Sequence, residues 1–454
     1  MNFDKYQTNL KTNFKSSFAW NIFGCSIYES LKILHQICLL KVMHSSAYGL
    51  QGSIFSIIYL TVYIAELGLN NSLAPFLNNF LESKRNFKKI FLELCLLPQI
   101  LIVSCASLIA TFFYSKSFFY QIQNPFLFII PLIILSESIR IFFRRFLHTI
   151  FMSKKTVITE TILVTLYLSL VWVPYLFMGF KMTQNLVFIP YLIDTVIGVT
   201  IFSFYILKFY KTLPNKPLSY SNNLFVRIIK TRFFNYSIQV SKNFFTGNFL
   251  TPFFASSFGL GQAGIFNLAN HIAESIKAIM KVTVVFSGSA LLAKIKDASL
   301  SIKRQAFNML SRSLNIIIYP IIIFLIINYK TLINLKGFYF IPTSTVTQTL
   351  VFLFVASLEY FFLAYEQFYI IEERASRLFI FKLFEFGLFY TLIISKSLTS
   401  PLITLLSLAL IKLVSFTVIS TNAYFIWKIR PNFRIKPAYL ALYISISLLF
   451  YIFF

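Results

Sequence analysis

Apolar residues run along this chain in stretches long enough to cross a bilayer, about 20 residues each for a helix, separated by short polar segments that carry lysine and arginine. Runs such as Phe126 to Leu135, Ile316 to Ile327 and Leu440 to Phe454 cannot all be hidden in water-soluble cores, so they must face lipid, where only helices or closed barrels satisfy their own backbone. The pattern predicts spans near 17–38, 46–66, 90–113, 119–139, 157–180, 186–207, 233–254, 264–290, 313–329, 344–368, 378–395, 400–426 and 437–454, thirteen in all. The expected fold class is an all-α polytopic membrane helix bundle.

Composition sharpens that reading. Of 454 residues, 57% are apolar and only 12% charged, where a soluble protein carries roughly a quarter charged residues. A soluble globule is excluded, and the connections are too short for a folded soluble domain. The net charge of +26 in a soluble protein would suggest nucleic acid. Here the charges flank spans, so nucleic acid is not an expected partner and the charges mark cytoplasmic loops. With a cytoplasmic N-terminus, 29 lysines and arginines fall on the inside and 6 on the outside (Lys41, Lys116, Lys181, Lys330, Lys336, Lys396). One missed or invented helix would invert that alternation, so the bias supports the count and puts the C-terminus outside. The polar, basic opening is too long for a signal peptide and no small-residue cleavage site follows the first helix, so that helix is expected to stay. Cys25, Cys38, Cys95 and Cys105 lie in apolar segments without a CxxC pair, which indicates neither a disulfide framework nor a metal site.

The second half echoes the first. Ala47-Tyr48-Gly49-Leu50-Gln51-Gly52 precedes Ile54-Phe55, and Ser257-Phe258-Gly259-Leu260-Gly261-Gln262-Ala263-Gly264 precedes Ile265-Phe266. Pro98 and Pro320 recur in the third helix of each half. The reading is two lobes of six helices: an N-lobe over 1–211, a linker over 212–232, a C-lobe over 233–430 and an extra helix over 431–454. Because six is even, the repeat is parallel, and such pairs enclose a central cavity. The linker stretch 224–234, LFVRIIKTRFF, mixes apolar with basic residues as an interfacial helix on anionic lipid does.

Ser17 to Leu73, with Trp20-Asn21, Tyr48-Gly49-Leu50 and Ala65-Glu66-Leu67-Gly68-Leu69, together with Gln262-Ala263-Gly264-Ile265-Phe266-Asn267-Leu268-Ala269-Asn270, resembles the lobe openings of polysaccharide and O-antigen flippases in the multidrug/oligosaccharidyl-lipid/polysaccharide exporter superfamily. The chain departs from that pattern in its thirteen predicted helices, where members commonly have twelve or fourteen, and in Glu66, where Asp is usual. The resemblance implies two six-helix lobes like those of multidrug exporters, a bacterial cytoplasmic membrane, and transport without covalent chemistry or cofactor. It also implies a polyprenyl-diphosphate-linked oligosaccharide as substrate, inward-facing basic residues that receive it, and polymerase or ligase machinery as partners.

Charged groups at mid-membrane cost roughly 2.5–3.5 kcal/mol on insertion scales, so those retained there face a cavity, a partner or a substrate. In the first helix Asn21, Tyr28, Glu29, Lys32 and His35 or Gln36 recur mostly at helical steps. In the eighth, Asn267, Asn270, His271, Glu274, Lys277 and Lys281 form a polar stripe, and Gln239, Lys242, Asn243 and Thr246 form a shorter one in the seventh. The cavity is expected between the first, second, seventh and eighth helices. Lys32, Lys242, Lys277 and Lys281, with Asn267, Asn270 and His271, are the candidate substrate site, the lysines as point charges for a phosphate-bearing molecule. Glu29 with Lys32 and Glu274 with Lys277 are equally readable as i,i+3 pairs. Glu29, Glu274 and Asp194 are the candidate cavity or ion-binding carboxylates. Competing readings are a drug or cation antiporter, which favours an acidic, aromatic cavity, and a membrane polysaccharide polymerase, which needs a large outside loop with catalytic groups. No phosphate-binding glycine loop or nucleophile motif accompanies these residues.

Overall fold

The computed structural model describes residues 3–43, 45–66, 76–77, 81–117, 129–216, 222–243, 247–280, 291–292, 295, 298–334, 351, 363–395, 398, 400–429 and parts of 440–448. Among the described residues there is no strand. We label the helices α1 (Phe3–Val42), α2 (Ser45–Ala65), α3 (Lys84–Phe87 and Leu97–Ser117 joined by a π-helical stretch, Lys88–Leu96), α4 (Ile129–Thr149), α5 (Ser153–Phe177), α6 (Gln184–Thr212), α7 (Asn222–Asn243), α8 (Gly247–Phe258), α9 (Leu260–Met280), α10 (Leu300–Asn334), α11 (363–371), α12 (Ala375–Ile394) and α13 (Pro401–Trp427).

Among the described residues, six segments are long and apolar enough to cross a membrane: Ser46–Ala65, Lys84–Phe112, Ser153–Phe177, Gln184–Thr212, Leu300–Phe324 and Leu402–Trp427. Large apolar side chains such as Phe23, Leu101, Leu108, Phe204, Leu410 and Phe425 stand exposed on the outside of the bundle, where lipid replaces water as their solvent. The segment in α2 is 72% buried while the other five are 28–44% buried, so α2 is the central helix. It packs against α9, α8, α4 and α3 at once. In the first half α1 lies on α5, α5 on α6, and α4 on α6; in the second, α7 lies on α12 and α12 on α13.

Local sequence explains the breaks. Ser400 accepts a hydrogen bond from the Ile403 amide and Pro401 occupies the first turn of α13, a position where its missing N–H costs nothing. Gly259 adopts φ +89 with open space where a Cβ would stand. It is therefore required for its left-handed backbone, which turns α8 into α9, and the repeated glycine motif of the second half falls on this junction. Pro98 sits one residue after the π-helical stretch. Its missing N–H falls where the winding changes, and Arg232 of α7 donates to the Leu94 carbonyl in the same turn at 3.2 Å. α3 and α7 are thus tied by a side-chain bond to backbone.

Three sequence expectations change. The fourth helix runs on to Thr149, ten residues past the expected end at 139; residues 119–128 of the expected span lie outside the described residues. Arg140, Arg144 and Arg145, assigned above to a cytoplasmic loop, are on this helix, and Arg140 and Arg145 are buried in it. Residues 222–232 of the linker are the opening turns of α7, and the expected seventh span falls on α7 and α8, with 244–246 outside the described residues. Much of the eighth span's end, the tenth span and the last helix lie outside the described residues.

Candidate functional site

The polar face read from α1 does turn inward. Asn21, Cys25, Tyr28, Glu29, His35 and Leu39 are buried, while Phe23, Ile27 and Leu34 on the other side are exposed. Tyr28, Glu29 and Lys32 form one unit: Lys32 Nζ donates to Glu29 Oε1 at 3.1 Å and stands 5.0 Å over the Tyr28 ring. The i,i+3 pair is present, and it is asymmetric. The Lys32 side chain keeps 39% of its surface exposed and that of Glu29 only 7%, so the lysine is the more accessible partner. One turn on, the Trp172 indole N–H donates to His35 Nδ1 at 3.0 Å. With Nδ1 accepting, the neutral His35 ring carries its hydrogen on Nε2 and donates to the Tyr167 hydroxyl at 3.1 Å. The ring is fixed by α5 rather than free to shuttle protons.

Across from α1, α9 presents the other stripe. Its N-terminal turns press on α2. Asn267 is buried and bonds to Tyr48, whose hydroxyl also donates to Gln36 Oε1 at 2.8 Å. A Cβ at Gly49 would lie 2.2 Å from the Leu260 carbonyl, and one at Gly52 would lie 2.3 Å from the Asn267 side chain. The first glycine motif therefore meets the start of α9, Gly49 and Gly52 being small so that the α9 backbone and Asn267 can approach. Asn270 is buried with its Oδ1 lacking a hydrogen-bond partner. Further along, His271 and Glu274 are partly exposed. The charge of Lys32 acts on His271, and His271 in turn on His35; Glu274 acts on Tyr63 of α2. Lys32 of α1 and His271 of α9 thus lie within each other's field, and Glu274 acts toward α2. The helical backbones at Lys242 and Lys277 are described but their side chains are not, and Lys281 lies outside the described residues.

Asp194 belongs elsewhere. It is buried on α6 and accepts from Arg140 Nη1 at 2.6 Å. Arg140 also meets Glu137 at 2.9 Å, and Arg144 faces Glu160 of α5 at 3.7 Å. This cluster between α4, α5 and α6 was missed because its arginines were read as loop charges. The available signal was the spacing Glu137, Arg140, Arg144, which follows the helical period with apolar residues between. The second half has its own buried group: Lys382 bridges Glu385 at 2.8 Å and Glu366 at 3.4 Å, and Lys412 meets Glu385 at 3.2 Å.

No protein-family model matches the chain, and no curated protein matches it by sequence. Solved structures do match its shape. The MATE multidrug transporter DinF-BH aligns at TM-score 0.69 and 14% identity over 94% of this chain and 97% of its own. A MATE protein in its straight conformation aligns at 0.67 and 12% identity over 92% and 96%. A transporter of the MOP superfamily from Pyrococcus furiosus, described by a reversed polarity of its binding pocket, aligns at 0.63 and 12% identity over 91% and 96%. At these identities the likeness is one of fold: the chain has the architecture of MATE transporters in the MOP superfamily.

Proposed function

We propose that this chain is a non-enzymatic flippase that carries a polyprenyl-diphosphate-linked oligosaccharide across the cytoplasmic membrane by alternating access. The observation that carries this reading is the half-exposed Lys32 ammonium, which faces the polar stripe of α9 between the two halves. An amine placed there receives a diphosphate as a point charge, and it is far less suited to an organic cation. The neighbouring amides and imidazole of α9 suit sugar hydroxyls, and the apolar outer surface of the bundle leaves the prenyl tail in lipid. Lys242, Lys277 and Lys281 complete the cationic set in this reading, and Glu29 and Glu274 set its local charge.

With the cytoplasmic N-terminus of the positive-inside reading, the meeting of Gly49 and Gly52 with Leu260 and Asn267 lies toward the outer face. The contact of α2 with α9 then closes the outer path, and loading proceeds from the cytoplasm. Substitution of Lys32 and Lys277 by alanine tests the site. The doubly substituted protein is expected to insert normally and to lose lipid translocation, and wild-type rates in it would remove the cationic-site reading. The antiporter reading predicts instead that the same variant retains or improves export of an organic cation.

A further inference from the structure

The opening turns of α7 join the two halves on one side and carry an unanswered charge on the other. Ile228 packs with Phe87, Ile90 and Phe91 of the first half, Arg232 donates to the Leu94 carbonyl of α3, and Phe234 meets Phe379 of α12 at 6.3 Å between ring centroids. Thr231, Asn235 and Ile238 are buried on the same inward side. The outward face is apolar: Val226, Ile229 and Phe233 are 61%, 50% and 61% exposed. Lys230, also exposed, stands on it with Val226 four residues before and Phe233 three residues after, its neighbours on the helix surface.

The acids on the flanking elements already have partners. Glu373, in the turn before α12, accepts from Arg227 Nε at 3.2 Å and takes Arg227 Nη2 on its other oxygen. Glu372 pairs with Lys303 at 2.7 Å, and Glu93 of α3 with Lys89 at 2.8 Å. Among the described residues the Lys230 side chain has no hydrogen bond or ion pair. Its level in the bundle is set by α3. Ile228 meets Phe87, Ile90 and Phe91, and Arg232 meets Leu94, so the two helices run in the same sense. Arg227 and Lys230 therefore stand level with Lys88, Lys89 and Glu93, and beyond these α3 exposes Leu97 and Leu101. Charge on two neighbouring helices ends at one plane, which marks the membrane surface, the cytoplasmic one in the positive-inside reading.

We propose that this outer face of α7 is a binding site for an acidic phospholipid of the cytoplasmic leaflet, with its phosphate on Lys230 and an acyl chain along Ile229 and Phe233. A basic side chain at that plane is attracted to an anionic headgroup, whereas a zwitterionic headgroup brings its own compensating amine. The cargo is the poorer occupant, because this face looks away from the interior of the bundle. Since α7 touches both halves, lipid held here steadies their joint. The inference goes beyond the flippase reading and does not depend on the identity of the cargo.

Thermal unfolding of the purified full-length protein in mixed micelles tests it, with phosphatidylglycerol or phosphatidylcholine added. Phosphatidylglycerol is expected to raise the unfolding temperature more than phosphatidylcholine does. Lys230→Gln is expected to bind it about five-fold more weakly, the worth of one cation at an anionic surface. Lys230→Arg is expected to keep the wild-type response, as is Lys216→Gln, at an exposed lysine beyond the end of α6. Native mass spectrometry is expected to show one phosphatidylglycerol fewer on Lys230→Gln. Equal stabilisation by the two lipids, or a Lys230→Gln variant that responds like wild type, overturns the proposal. Displacement of phosphatidylglycerol by an equimolar polyprenyl diphosphate, with the same dependence on Lys230, also overturns it and gives the site to the cargo. The unfolding measurement is made without cargo, so its failure leaves the flippase reading standing, and absent lipid translocation leaves this site standing.

Discussion

Arg140 is the group on which the first half's buried charges depend, and its replacement by methionine is a stringent test of that arrangement. The guanidinium reaches Asp194 at 2.6 Å and Glu137 at 2.9 Å, and all three side chains are buried. Methionine keeps most of the length and apolar volume of the side chain but leaves two carboxylates without their cation. Removing one member of a buried ion pair costs about 3–5 kcal/mol, most of it the penalty of the stranded charge. The expected loss in reversible unfolding from mixed micelles is therefore about 3–5 kcal/mol. Adding Asp194→Asn removes one stranded charge, so the double variant should be more stable than the sum of the singles by about 1–3 kcal/mol, the range for residues in one ion-pair network. A loss under roughly 0.5 kcal/mol, the size of an ordinary surface substitution, or strict additivity in the double variant, would refute the claim that these charges are buried and mutually compensating.

Two further perturbations address the contacts between halves. Gly49→Ala places a methyl 2.2 Å from the Leu260 carbonyl and 2.9 Å from the Gly264 amide, both backbone, so α2 and α9 must separate at a cost of about 1–3 kcal/mol; Gly52→Ala meets only the Asn267 side chain, which can turn, and should cost less in the same unfolding assay. Arg232→Met removes the bond to the Leu94 carbonyl and should cost about 1–3 kcal/mol in the same assay; unchanged stability would refute a role for this bond in tying α3 to α7.

Much of this architecture is legible from the chain because lipid makes hydropathy a direct readout of helices. The inward polar face of α1 and the stripe of α9 followed from spacing alone, and the first glycine motif proved to lie where α2 meets α9. What sequence did not place were charges whose compensation is distant along the chain. Arg140 reads as a loop charge until Asp194, 54 residues away, is brought beside it by α4 packing on α6; for the same reason the fourth helix was expected to end ten residues before Thr149. The π-helical stretch before Pro98 likewise has no apolar signature, since it is a change in backbone winding and not in residue polarity. Asp194 was singled out as a mid-membrane carboxylate, but that it belongs with Glu160 and Glu137 rather than with Glu29 and Glu274 depends on tertiary packing.

The central claim is that this bundle moves an anionic lipid-linked sugar. Its most direct test is translocation of a fluorescent polyprenyl-diphosphate oligosaccharide in vesicles reconstituted with the full-length protein, read by accessibility to a membrane-impermeant quencher, beside uptake of an organic cation in the same vesicles. The account predicts protein-dependent movement of the lipid, lost in Lys32→Ala with Lys277→Ala, and no concentrative movement of the cation. Cation transport with a stationary lipid would contradict it.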